Sequence, residues 1–137
     1  MLWKTVTGGL HTAMMKSGTL YKNKKIKSDD VTKIVVGKKI SIISDTLPCN
    51  NCNKLAKDAD LLICESSFDS SLNNKAKEHL HLTAKQGAEI AKASGSKKLL
   101  LTHISQRYDN KLKKLLSEAK KVFKNSYLVS DLDSFEV

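Results

Sequence analysis

The chain has 137 residues, 40% hydrophobic and 28% charged, enough for one folded domain and unlike a disordered chain. No run approaches the ~18 apolar residues of a membrane span. The opening MLWKTVTGGLHTAMM lacks the apolar stretch and cleavage site of a secretory signal. Three cysteines, an odd number, in a lysine-rich chain point to a reducing, cytoplasmic setting. A net charge of +10 favours a polyanionic partner, most simply nucleic acid, although a lysine-biased composition gives the same charge without a binding face.

Residues 1–38 carry short mixed runs, glycines and lysines. They are expected to form short strands and turns, near Leu20–Tyr21 and Thr32–Val36, leading into the sheet. From Lys39 the pattern changes, and residues 39–137 are expected to form one α/β half-domain. KKISIISDT is a β-branched strand with a polar exit. CNKLAKDA follows as a short helix with Cys52, Leu55, Ala56 and Ala59 on one face. ADLLICESSF is a second buried strand. Thr83 and Gln86 form a capping-box pattern ahead of a helix with Ala84, Ala88 and Ala91 as its apolar stripe, ended by Gly95. KKLLLTH is a third strand, and NKLKKLLSEAKKVFKN is an amphipathic helix. SYLVS and SFEV are read as two short closing strands. The order β-α-β-α-β-α-β-β predicts an α/β sheet with helices packed on it.

In such sheets, chemistry gathers beyond the carboxyl ends of the strands. The polar residues at three successive strand ends are Asp45, Glu65 and His103. Asp45 fits a helix cap as well as a metal ligand, and His103 alone fits a structural role as well as a ligand. Taken together, a carboxylate and an imidazole on adjacent strand ends suit zinc or manganese. Glu65 and His81 form a second pair, with His81 placed to donate a proton; a solvated loop holding Glu78, His79 and His81 is the plainer alternative. Cys49 and Cys52 have the C-x-x-C spacing of a zinc knuckle or a redox pair, but no second pair follows to complete a zinc site. Cys64 lies inside an apolar run, where a thiol packs as a small hydrophobe.

Three segments, GKKISIISDTLPCNNCNKLAKDADLLICESSF, HLTAKQGAEIAKASGSKKLLLTHISQRY and EAKKVFKNSYLVSDL, together resemble the C-terminal half of tRNase Z. That family is the tRNA 3′-processing endoribonuclease of the metallo-β-lactamase superfamily. The likeness covers roughly residues 33–137 and extends more weakly toward the start. The family's GDTRPC falls on Ser44 to Cys49, its HEAT loop on Cys64 to Ser67, its HST loop on His81 to Thr83, and its LTHxSxRY segment on Leu101 to Tyr108.

The resemblance implies the C-terminal half of an αβ/βα sandwich, a mixed sheet with helices packed on it. It implies a zinc-dependent phosphodiesterase that cuts pre-tRNA. Asp45 and His103 would hold metal, two Zn2+ ions in the complete site or else Mn2+. His81 would protonate the leaving oxygen, oriented by Glu65, and Arg107, Ser105 and Tyr108 would meet RNA. Ser44, Leu47 and Leu82 depart from the family pattern. The HxHxDH motif, source of most metal ligands in the superfamily, does not occur, and His11 remains an unassigned histidine. Two ligands do not hold a dinuclear site, so the lone chain is expected to be inert. A separate N-terminal-half polypeptide is the expected partner, with self-association as the substitute. The alternatives are a non-catalytic RNA-binding or scaffold remnant of the same fold and a small-molecule hydrolase; the second is disfavoured by the charge and by the Ser-x-Arg-Tyr loop.

Overall fold

The computed structural model describes residues 2–6, 19–27 and 32–137. The chain divides into two compact units, Met1–Gly37 and Lys38–Val137. In the first, β1 (Leu2–Val6) pairs antiparallel with β4 (Thr32–Val36), from Leu2 opposite Val36 to Val6 opposite Thr32. β2 (Thr19–Tyr21) and β3 (Lys24–Ile26) form a hairpin closed by Lys22 and Asn23, both at positive φ (47° and 61°). Two such residues make the turn whose twist matches that of paired strands.

The second unit is built on a parallel sheet of β5 (Ile40–Ile43), β6 (Leu61–Glu65), β7 (Leu99–Thr102) and β8 (Ser126–Leu128), ordered as in the chain. Between the strands run α1 (Asn50–Ala56), α2 (Asn73–Glu78), α3 (Ala84–Ala93) and α4 (Leu112–Val122). Right-handed crossovers are the general rule for parallel strands, and stepping one strand at a time they keep every connection on one face. The register shows which rows of side chains meet the helices. Ser41, Leu62, Leu99 and Ser126 align across the sheet, as do Ile43, Cys64, Leu101 and Leu128, and these rows join Ala56, Ala84, Ala88, Ala91, Leu115 and Ala119 in the core. The row between them, Ile42, Ile63, Leu100 and Tyr127, points the other way. There Ile40, Ile42 and Tyr127 are 52%, 62% and 40% exposed.

α3 starts from the predicted capping box, with Gln86 N–H donating to Thr83 Oγ1 and Thr83 N–H to Gln86 Oε1. Its small residues let it lie close to the end of β6: a Cβ on Gly87 would stand 3.4 Å from Cys64 Sγ and 3.6 Å from the Glu65 carbonyl oxygen. Gly95 then takes φ +70° just past the helix.

Several expectations change. α2 is an additional helix in a segment to which the sequence reading gives no element; its sequence NNKAKE buries only Ala76, so it carries no periodic signal. α1 turns Cys52 and Ala56 inward, while Leu55, expected beside them, is exposed. The closing SFEV forms no ladder. A turn at Ser130–Asp133, with Leu132 at φ 72°, redirects the chain, and Phe135 instead sets its ring 6.2 Å from that of Tyr127. The sheet of this unit is wholly parallel, with antiparallel pairing confined to the first unit.

Candidate metal centre

β5, β6 and β7 end side by side, so the residues after them share one rim of the sheet. Asp45 lies two residues beyond β5, Glu65 closes β6 and His103 follows β7 directly. Asp45 and His103 both adopt the left-handed backbone region, at φ 46° and 53°. That conformation costs a non-glycine residue on the order of 1 kcal/mol and gathers at functional sites. His81 arrives from the other side. Two residues past α2, Leu80 takes φ 61°, His81 N–H donates to the Ala76 carbonyl at 2.8 Å, and the β6 exit loop is tied to the start of α3 by Ala84 N–H to Phe68 O at 2.9 Å.

One ligand-type atom from each of Asp45, Glu65, His81 and His103 lies within 4.8 Å of the other three. Glu65 is fully buried, and a buried carboxylate needs its lone pairs occupied. Thr46 N–H donates to Oε1 at 2.6 Å; Ser67 Oγ and His81 Nδ1 lie 3.0 Å and 2.9 Å from Oε2. Ser67 also lies 2.9 Å from His103 Nδ1. The single Ser67 hydroxyl proton has two acceptors in reach, Glu65 Oε2 at 3.0 Å and the His103 carbonyl at 2.9 Å; given to Glu65, it leaves Ser67 accepting from His103 Nδ1–H, with His81 Nδ1–H donating to Glu65. Each imidazole then keeps a basic Nε2 lone pair, the form that takes a metal or a proton.

Asp45 Oδ1 sits 3.6 Å from His81 Nδ1 and 3.5 Å from His103 Nδ1, and its side chain is 63% exposed against 0% for Glu65. The group is therefore closed toward the sheet and open toward solvent. A carboxylate with imidazoles fits a borderline divalent ion such as zinc, which takes four ligands in a closed site. Glu65, fully buried and with three donors in reach, is the least available of the four.

Beside this group runs a cleft of about 460 Å³ lined by Ser67, Phe68, His79, His81, His103 and Arg107 among others. Arg107 lies over the Phe68 ring, 5.0 Å from its centroid, with Nε donating to Ser105 Oγ at 3.0 Å. Ser105 and Arg107 thus line the cleft with the imidazoles. Tyr108 does not. It is 3% exposed, and its hydroxyl accepts from the Asp69 amide at 2.9 Å; the aromatic expected to meet RNA is a core residue whose polar tip needed a buried partner. Asp69 is held by Lys114 at 2.6 Å and by Ser71. Burial alone would raise its carboxyl, but the hydrogen bonds from Lys114 and Ser71 hold it down to about 2.

Sequence reasoning missed Ser67, which links Glu65 to His103; its signal was the polar Ser66–Ser67 pair closing the β6 run. It also missed the Phe68–Arg107 stack, which joins residues far apart in the chain. His11 lies outside the described residues.

No family model matches the chain. Over 131 residues, 95% of its length, it is 41% identical to ribonuclease Z of Protochlamydia amoebophila. The chain is thus similar, over nearly its whole length, to part of a ribonuclease Z. It spans 42% of that relative's length. Among solved structures, human tRNase Z, short form, is 34% identical at a TM-score of 0.55, over 74% of this chain and 36% of that one. The metallo-β-lactamase fold protein YhfI of Bacillus subtilis is 26% identical at a TM-score of 0.61, over 72% of this chain and 40% of that one. No helix among the described residues is long and apolar enough to cross a membrane.

Proposed function

We propose that this chain supplies part of the active site of a metal-dependent phosphodiesterase that processes the 3′ ends of tRNA precursors, as the C-terminal half of such an enzyme. The observation that carries the reading is the convergence of Asp45, Glu65, His81 and His103 within 4.8 Å of one another, in a chain 41% identical to a ribonuclease Z.

Asp45 and His103 are the residues that would hold a divalent ion, zinc by donor type. Such an ion supplies Lewis-acid polarisation of a phosphoryl oxygen and acidifies the water that attacks it. His81 gives a proton to the departing ribose oxygen. Because Glu65 occupies its Nδ1, the proton leaves from Nε2. Arg107, steadied by Phe68 and Ser105, meets a backbone phosphate, and the lysine-rich surface adds long-range attraction.

Two ligands fall short of the four that zinc takes. The missing donors come from a second polypeptide bearing the HxHxDH motif, or from a second copy of the chain. On the sheet face away from the helices, Leu61 and Leu100 of the central strands are buried, and the β5 edge, with Ile40 and Ile42 exposed, is where such a partner docks. The test is reconstitution: the chain is mixed with an HxHxDH polypeptide, and zinc content and pre-tRNA cleavage are measured together. Near-stoichiometric zinc and cleavage only in the mixture support the reading. RNA binding without zinc or cleavage in any combination replaces it with a non-catalytic RNA-binding module.

A further inference from the structure

The metal centre leaves the CNNC motif unused. Cys49 is the exposed N-cap of α1, with an extended backbone (φ −148°, ψ 164°), and Cys52 is the third residue of that helix, 5% exposed. Their Sγ atoms lie 3.5 Å apart. A disulfide needs about 2.05 Å, so bonding requires a closure of about 1.5 Å, within reach of a rotation at the exposed Cys49. Cys64, the remaining cysteine, is fully buried in the core cluster.

We propose that Cys49 and Cys52 form a thiol–disulfide exchange site for low-molecular-weight disulfides of the glutathione class. The two thiols have different environments that suit different roles. The Cys52 amide, the Cys52 thiol and the Asn51 amide lower the Cys49 thiol from its ordinary value, so the accessible sulfur ionises more readily than Cys52. Burial raises Cys52, which suits a resolving thiol that meets only its neighbour. Burial also pushes Cys64 up, out of reach of reagents.

In the first step the Cys49 thiolate attacks one sulfur of the reagent. The reagent's S–S bond breaks, its other sulfur leaves as a thiolate and takes a proton from water, and Cys49 carries a mixed disulfide. Cys52 then gives up its proton and attacks Cys49 Sγ, expelling the second reagent sulfur as a thiol. Two cysteine thiols are oxidised to one disulfide, and one reagent disulfide is reduced to two thiols. The site does not depend on nuclease activity.

The test uses the full reduced chain, incubated with graded mixtures of reduced and oxidised glutathione, acid-quenched and mapped by mass spectrometry. The expected product is a single peptide that joins Cys49 to Cys52 and lacks two hydrogens, with Cys64 unmodified. Cys52→Ser is expected to accumulate a stable glutathione adduct on Cys49, and Cys49→Ser neither product. In the unsubstituted native chain, iodoacetamide is expected to label Cys49 at least ~10-fold faster than Cys64. A glutathione adduct on Cys49 that persists without closing onto Cys52 overturns the proposal. So does a Cys49 labelling rate no faster than that of Cys64, a readout needing no variant to fold.

Discussion

Replacing Glu65 with glutamine perturbs the centre of the site while keeping its shape. The buried carboxylate accepts from Thr46 N–H at 2.6 Å on Oε1, and from Ser67 and His81 on Oε2 at 3.0 and 2.9 Å. A glutamine amide accepts on one side only. With its oxygen toward Ser67 and His81, its NH2 faces the Thr46 amide, donor against donor. In the reverse orientation it faces the His81 Nδ1–H. Either way at least one charge-assisted bond is lost, each worth about 1.5–3 kcal/mol. Relief of carboxylate desolvation offsets part of this, leaving a net loss of about 2 kcal/mol, or ~6 °C in Tm for a chain of this size. Thermal unfolding measures the first quantity. Long-range ¹⁵N–¹H correlation measures a second, since His81 and His103 should both be Nδ1–H tautomers in the original chain, with His81 altered in Glu65→Gln. A Tm within ~1 °C of the original and an unchanged His81 would refute the hydrogen-bond assignment.

Three further outcomes follow from the same geometry. Ile42→Asp, on the open sheet face, should cost about 1 kcal/mol or less in the isolated chain yet abolish association with a partner or second copy, read by sedimentation velocity. Arg107→Ala should weaken RNA binding and reduce the slope of log K against log salt by about 1, the signature of one lost phosphate contact; an unchanged slope removes Arg107 from the RNA surface. Asp69 is held down to about 2 against an ordinary ~3.9. Its contribution is therefore fully present above about pH 4 and lost as the pH falls toward 2. Asp69→Asn should flatten that part of a stability–pH curve from urea titrations, and an unaltered curve contradicts the Asp69–Lys114 pairing as its source.

The sheet was legible because its strands are buried on one face by helices and end abruptly. ISII, LLICE and LLLT each run from apolar into polar chemistry, and those endings fall on Asp45, Glu65 and His103. The capping box at Thr83 read directly from two residues. α2 was not legible, since a six-residue helix burying only Ala76 differs little from a polar loop. The burial of Tyr108 was hidden for a different reason. Its partner, the Asp69 amide, lies 39 positions away in the chain, and an aromatic flanked by Arg107 and Asp109 reads as exposed. Asp and His enter the left-handed region more readily than most residues, yet nothing in the neighbouring sequence singles out Asp45 and His103 for it.

Zinc content after dialysis, measured on the chain alone, on the chain with an HxHxDH polypeptide, and on that mixture carrying Asp45→Ala and His103→Ala, tests most directly whether this chain holds part of a shared metal site. The account predicts little retained zinc in the first, near-stoichiometric zinc in the second and its loss in the third. Full zinc retention in the doubly substituted mixture would contradict it.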